Sequence, residues 1–123
     1  MRRLAMTAAA TTIAAGAAAG TIDLDGNYGN AAGCSYTATN LASSDDLLLL
    51  TPKGVSTYAT ECEFVAQSVS ADETRMVRAT CTHEGETGTT ARTIRIEKAP
   101  DQVDAYLILD EDGTMWGKVG QCS

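Results

Sequence analysis

Four cysteines constrain the fold of this chain more than any other feature: Cys34, Cys62, Cys81 and Cys122. All four follow an N-terminal segment of the type that directs export from the cytoplasm. In a short exported chain, an even number of cysteines favours two disulfides over thiol chemistry. We therefore expect a small, disulfide-stapled domain outside the cytoplasm.

The N-terminal segment is organised like a signal peptide. Arg2 and Arg3 precede an uncharged, alanine-rich run over residues 4–19, and Ala17 and Ala19 suit the −3 and −1 positions of a cleavage site. This run is too short and too rich in alanine for a membrane span, which needs about 20 strongly apolar residues. We predict a signal peptide over residues 1–19, a single domain over 20–123, and a periplasmic or secreted location. Residues 31–34 resemble a lipobox, but the charged stretch 21–30 separates them from the apolar run and argues against lipidation of Cys34.

The charge balance narrows the choice of partners. Loss of residues 1–19 removes two arginines and leaves 7 basic against 16 acidic side chains, a net charge of −9. Such a surface repels nucleic acid and anionic membranes, so neither is expected as a partner. A domain of this size buries only a modest core, which two disulfides would supplement.

Short β-type runs alternate with turns that contain glycine, proline or aspartate. We predict strands over residues 46–51, 55–68, 74–83, 89–98, 103–110 and 114–121, with a seventh, short strand near Tyr28. The fold class is therefore all-β: an antiparallel meander of six to seven strands, partly or fully closed into a barrel, with two disulfides and almost no helix. The run Leu47–Leu50 is apolar on both faces, so a closing barrel wall, the N-terminal segment or another subunit must cover its second face.

The alternation of side chains also predicts the strand register. With turns centred on residues 71–72 and 86–87, the apolar side chains of three successive strands share one inward face. The predicted pairs on that face are Cys62 with Cys81, Phe64 with Ala79, Ala66 with Val77, Ala79 with Ile94, and Val77 with Ile96. Of the three connectivities open to four cysteines, we choose Cys62–Cys81 across this hairpin and Cys34–Cys122 between the two ends of the domain.

A loose set of motifs extends over most of the mature chain. Gly26-Asn27-Tyr28 precedes the first cysteine, the acidic stretch 81–86 begins at the third, and Trp116 precedes the last. In these features the chain resembles small secreted four-cysteine, all-β proteins of alphaproteobacteria. That resemblance implies the fold and the compartment only. The Gly-x-aromatic opening is also similar to that of lipocalins, which implies carriage of a small ligand in a β-barrel as an alternative function.

Catalytic and metal-binding patterns are weak. His83 is the single histidine, and Glu84 and Glu86 follow it on a strand end and turn, whereas zinc ligands are normally spaced apart. The stretches 23–27 and 110–113 do not supply the twelve-residue ligand series of an EF-hand. No serine stands in a Gly-x-Ser-x-Gly elbow. We therefore expect no metal, no cofactor and no enzymatic activity.

Two arginines, Arg78 and Arg95, depart from the otherwise acidic character of the predicted surface. The predicted register places Arg78 directly opposite Arg95 on the exposed face, where two guanidinium groups could together hold a carboxylate or a phosphate. The alternative is that Glu63 and Glu97, each diagonal to one arginine, neutralise the pair.

Charge and scaffold together predict a non-catalytic module that binds or inhibits a cationic protein, such as a secreted hydrolase. Acidic groups, among them Asp45 and Asp46, would steer that partner. Leu48, Leu50 and Trp116 would form a buried anchor on the second face of their strands, the alternative being that they belong to the core. The oligomeric state stays open.

Overall fold

Eight antiparallel strands follow one another around a closed barrel in the computed structural model, which describes residues 20–69 and 73–123. The one helix among the described residues, α1, lies between the first two strands. The elements are β1 (Tyr28–Gly29), α1 (Ala31–Thr39), β2 (Leu48–Thr51), β3 (Gly54–Thr57), β4 (Thr60–Val69), β5 (Arg75–His83), β6 (Thr90–Lys98), β7 (Ala105–Asp110) and β8 (Met115–Gln121).

The predicted all-β meander is thus confirmed, and the barrel is fully closed. The predicted strand near Tyr28 is β1, and a turn at residues 58–59 divides the predicted strand 55–68 into β3 and β4. The predicted signal peptide, residues 1–19, lies outside the described residues, as do residues 70–72 of the predicted β4–β5 turn.

Both predicted disulfides are confirmed. Cys62 and Cys81 lie opposite each other on β4 and β5, 19 residues apart in sequence. Cys34 in α1 is bonded to Cys122, just after β8 and 88 residues away. All four cysteines are therefore disulfide-bonded, and none is a free thiol.

Helix α1 is the element that the sequence analysis did not predict. Asn30 caps its start, because the side chain of Asn30 accepts a hydrogen bond from the N–H of Gly33 at 2.8 Å. Asn40 ends it in the left-handed conformation, with φ of 62°, and donates its N–H to the carbonyl of Tyr36. The helix packs on the outside of the barrel.

The packing of α1 explains the continuous apolar run in β2. Leu47 and Leu49 form an outer cluster with Ala32 of the helix, flanked by Tyr36 and Cys122. Leu48 and Leu50 point the other way, into the barrel. Three covers were predicted for the second face of this run, and the N-terminal segment of the domain, through α1, is the one that covers it.

The barrel interior is filled with side chains. Leu48, Leu50, Val55, Phe64 and Ile94 belong to one buried cluster, and each is less than 5% exposed. For Leu48 and Leu50 the alternative hypothesis holds: the period-2 alternation of β2 directs both side chains into the core, so they are not accessible to anchor a partner.

The β4–β5 register is confirmed only as far as Phe64, which lies opposite Ala79. Beyond it, Ala66 lies opposite Arg78 instead of the predicted Val77. The cause is an irregularity between Phe64 and Ala66, a β-bulge in which Val65 is an extra residue without a partner across the ladder.

The β5–β6 register differs from the prediction by two residues. Val77 lies opposite Ile94, and Arg75 lies opposite Ile96. Cys81 lies opposite Thr90, so the pairing is centred on residues 85–86, one residue earlier than predicted. Gly85 and Gly88 in the connection adopt positive φ angles of 84° and 82°. Because side chains alternate with period 2, a two-residue shift leaves the same side chains facing inward.

Candidate functional site at the acidic end of the barrel

The antiparallel meander gathers every second connection at one end of the barrel. The β1–β2, β3–β4, β5–β6 and β7–β8 connections meet there, over residues 30–47, 58–59, 84–89 and 111–114. We call this surface the acidic end. Its connections contain no lysine or arginine, and their six carboxylates belong to Asp45, Asp46, Glu84, Glu86, Glu111 and Asp112.

The arginine nearest to the acidic end is neutralised within the protein. Arg92 at the start of β6 donates to Asp110 Oδ1 at 2.9 Å, and its guanidinium lies 5.9 Å from the centroid of the Trp116 ring. Trp116 is half-buried and packs against the barrel core. The predicted anchor residue Trp116 is therefore partly covered by Arg92 and by the barrel core, and its role as an anchor stays a prediction.

Local hydrogen bonds hold some of the carboxylates in place. The backbone N–H of Thr114 donates to Asp112 Oδ1 at 3.0 Å, and this bond to the charged form keeps the pKa of Asp112 below its usual value. Asp46 accepts a hydrogen bond from the hydroxyl of Ser44 in the β1–β2 connection. These bonds restrict the side-chain positions of two of the six carboxylates, Asp112 and Asp46.

Exposed apolar side chains accompany these charges. Leu41 is 70% exposed in the β1–β2 connection, Tyr58 is 52% exposed in the β3–β4 turn, and Met115 is 52% exposed at the start of β8. Large exposed apolar groups rimmed by polar residues are typical of protein-binding surfaces. The sequence analysis did not single out these three residues, although their place in or next to the connections indicates exposure.

A pocket of about 290 Å³ opens between α1 and the strand ends at this surface. We call it the end pocket. Among the residues that line it are Tyr36, Leu47, Tyr58, Glu61, His83 and Glu84. The Thr60 hydroxyl lies 2.9 Å from His83 Nδ1 and holds the imidazole at the wall of the pocket.

The opposite end of the barrel carries mixed charge. A cleft of about 740 Å³ lies there between residues 23–28 and 98–106. The phenol of Tyr28 donates to Asp25, and this bond, followed by burial and the nearby negative charge, raises the pKa of Tyr28 well above its usual value. Near this cleft Lys98 forms an ion pair with Glu73 at 2.6 Å and Lys118 with Asp101 at 3.5 Å, while Asp23, Asp25 and Asp104 line it without an ion pair among the described residues.

The structure does not bring Arg78 and Arg95 directly opposite each other. Arg78 lies opposite Thr93, and Arg95 lies opposite Met76, because of the two-residue shift. Arg95 donates to Glu97 Oε2 at 2.9 and 2.6 Å, so Glu97 neutralises it as the alternative hypothesis stated. Arg78 has no ion pair within the described part of the chain. The prediction of two directly opposed guanidinium groups is wrong.

The described residues contain neither a cluster of metal ligands nor a helix able to span a membrane. Within 20–69 and 73–123, no group of three or more histidine, cysteine, aspartate or glutamate side chains could hold a metal ion. Helix α1 is too short to cross a membrane, and the described part of the chain has no other helix that could.

No protein-family model, curated protein or solved structure matches this chain.

Proposed function

We propose that the protein is a non-catalytic binding module of the periplasm or extracellular space, and that its acidic end docks onto a cationic protein such as a secreted hydrolase. The observation that carries this proposal is the segregation of charge. Six carboxylates and no lysine or arginine occupy the four connections at one end, whereas the opposite end carries Lys53 in the β2–β3 connection and Lys98 at the end of β6 beside its aspartates.

The arrangement of charge suits recognition of a basic partner. A surface patch of one sign attracts the opposite sign over about one Debye length, roughly 10 Å at 0.1 M salt. Such attraction raises the association rate more than the final affinity. Leu41, Tyr58 and Met115 would then supply the apolar contacts that slow dissociation, in the role that the sequence analysis gave to Leu48, Leu50 and Trp116.

The scaffold supports the same proposal. A closed barrel with a filled interior and two disulfides presents its connections from a stiff frame. Stiffness lowers the conformational entropy lost on binding. Disulfides persist in oxidising compartments, which agrees with a location outside the cytoplasm.

The alternative function, a lipocalin-like carrier of a small ligand, needs space inside the barrel. Phe64, Ile94 and their neighbours occupy that space. We therefore do not favour this alternative.

The salt dependence of binding tests the proposal. The oxidised protein over residues 20–123 would be immobilised, and a cationic lysozyme-like hydrolase passed over it between about 0.02 and 0.3 M salt. We expect the association rate to fall steeply across this range while the dissociation rate changes little. Binding without any salt dependence, or no binding across a panel of purified cationic extracytoplasmic proteins, would contradict the proposal.

A further inference from the structure

The end pocket lies within the surface proposed to meet the partner. Its walls come from separate parts of the chain: Tyr36 and Leu47 from α1 and the connection after it, Tyr58 from the β3–β4 turn, His83 from the end of β5, and Glu84 from the connection that follows. Glu61 of β4 completes the lining on the barrel side. The pocket is therefore a product of the tertiary fold, and no single segment of the sequence contains it.

Short hydrogen bonds fix these walls relative to one another. The N–H of Glu84 donates to the carbonyl of Ala59 at 2.8 Å and ties the end of β5 to the β3–β4 turn. The N–H of Thr60 donates to Thr57 Oγ1 at 3.1 Å and closes that turn. On the other side, the Cys34–Cys122 disulfide ties α1 to the barrel. A pocket with walls held in this way needs little ordering when it is filled.

The lining of the pocket selects a definite chemistry. Tyr36, Tyr58 and Leu47 offer aromatic and aliphatic surface, to which the stem of a long side chain can pack. Glu61 and Glu84 have no ion pair within the described residues, and neither lysine nor arginine lines the pocket. Carboxylates and tyrosine rings both attract an ammonium or guanidinium group.

The volume limits what can enter. About 290 Å³ lies near the lower bound for small-molecule sites, which is roughly 300 Å³. A single long cationic side chain fits within this volume. Its charge complements the carboxylates, and its aliphatic stem complements the apolar part of the lining.

We infer that the end pocket receives a single arginine or lysine side chain of the cationic partner and thereby fixes where that partner docks. This inference rests on the proposed function and names the chemical group that the acidic end recognises. The aliphatic stem lies against Leu47 and the tyrosine rings, and the cationic group lies beside Glu61 and Glu84.

The single histidine makes a direct test possible. Because His83 lines the pocket and is the chain's one histidine, its ring signals in a proton NMR spectrum need no further assignment. The oxidised protein over residues 20–123 would be titrated at fixed pH and ionic strength with Nα-acetyl-arginine amide and Nα-acetyl-lysine amide. Nα-acetyl-norleucine amide, a neutral analogue with an aliphatic side chain, is the control. We expect saturable shifts of the His83 signals with the two cationic probes and none with the neutral one.

Matched variants localise the effect. Glu61→Gln and Glu84→Gln should each weaken binding of the arginine probe by about three-fold, as expected for a partly exposed ion pair. Tyr58→Ala should weaken both cationic probes. Glu63→Gln is the matched control, because Glu63 lies on the same strand two residues from Glu61 and outside the pocket. Far-ultraviolet circular dichroism would verify that each variant folds.

The outcomes separate the inference from the function on which it rests. If the cationic probes leave the His83 signals unchanged, if the neutral probe shifts them equally, or if Glu63→Gln weakens binding as much as Glu61→Gln, the inference is overturned. The inference also fails if a cationic hydrolase binds to the acidic end and the pocket variants leave its affinity intact, although the proposed function then stands. If the arginine probe binds as expected but no cationic protein does, the proposed function fails and the pocket chemistry stands.

Discussion

Gly33 of α1 faces the carbonyl oxygen of Leu48 in β2 so closely that a β-carbon on Gly33 would lie 2.0 Å from that oxygen. The helix therefore rests directly on the backbone of the barrel. This close approach lets α1 cover Leu47 and Leu49 and places Tyr36 at the wall of the end pocket. The glycine thus links the packing of the helix to the proposed binding surface.

Gly33→Ala should push α1 away from β2. We expect the free energy of unfolding, measured by urea denaturation, to fall by about 1–3 kcal/mol, the usual cost of overpacking. Ser35→Ala is the control in the same helix, and it should change stability by less than about 0.5 kcal/mol because Ser35 is exposed. A Gly33→Ala protein as stable as the wild type would contradict the observed packing of α1.

Phe64→Ala should leave a cavity in the barrel. Phe64 is 2% exposed, so the substitution should lower the free energy of unfolding by roughly 3 kcal/mol or more. Val65→Ala is the neighbouring control, since Val65 lies on the bulge and is 44% exposed, and it should cost clearly less. A loss below about 1 kcal/mol for Phe64→Ala would mean that the inward face is assigned incorrectly.

The two disulfides should contribute unequally to stability. Loop-closure entropy predicts a loss of roughly 3 kcal/mol for the Cys62→Ala/Cys81→Ala double variant and between about 4 and 5 kcal/mol for Cys34→Ala/Cys122→Ala. The reason is the difference in sequence separation, 19 residues against 88. Urea denaturation of both double variants measures this difference, and the opposite order of stabilities would contradict it.

Tyr28 should make the protein sensitive to alkaline pH. The folded state raises the pKa of Tyr28, so its stabilising effect is complete below the ordinary tyrosine pKa of about 10 and is lost as pH rises above that value. We expect the free energy of unfolding to fall between about pH 10 and 11.5, and Tyr28→Phe to remove part of this slope. Urea denaturation at stepped pH measures the slope, and equal slopes for the two proteins would exclude this role of Tyr28.

The alternation of apolar residues was sufficient to predict most strands and their inward faces. Five of the six predicted strands correspond to single strands whose ends differ by two residues or fewer. The register between β5 and β6 could not be found in this way, because a two-residue shift leaves Val77 and Ile94 on the same inward face. The observed register occurs together with a connection in which Gly85 and Gly88 adopt positive φ angles, a feature that the alternation of side chains does not predict.

Helix α1 and the end pocket needed more than periodicity. The residues of α1 do not separate into an apolar and a polar face with period 3.6, so the usual helix signal is missing. Asn30 and Asn40, which cap the two ends, are the signals that the sequence does contain. Tyr36 and Tyr58 reach the same pocket only because the helix folds back over the barrel. The segregation of charge to one end likewise follows from the order of connections, which is a property of the meander and not of any one motif.

The central claim is that docking depends on the negative charge at the acidic end and not on the net charge of the protein. A pair of variants with equal net charge tests this claim most directly. One variant combines Asp45→Asn, Glu86→Gln and Glu111→Gln at the acidic end, and the other combines Asp23→Asn, Asp101→Asn and Asp104→Asn at the opposite end. Both lose three negative charges, so their net charges are equal.

The decisive measurement is the association rate of each variant with a cationic lysozyme-like hydrolase at low salt. We predict that the acidic-end variant associates at least about three-fold more slowly than its charge-matched counterpart, because local potential steers the encounter. Equal association rates for the two variants would show that only net charge matters, and would contradict docking at the acidic end.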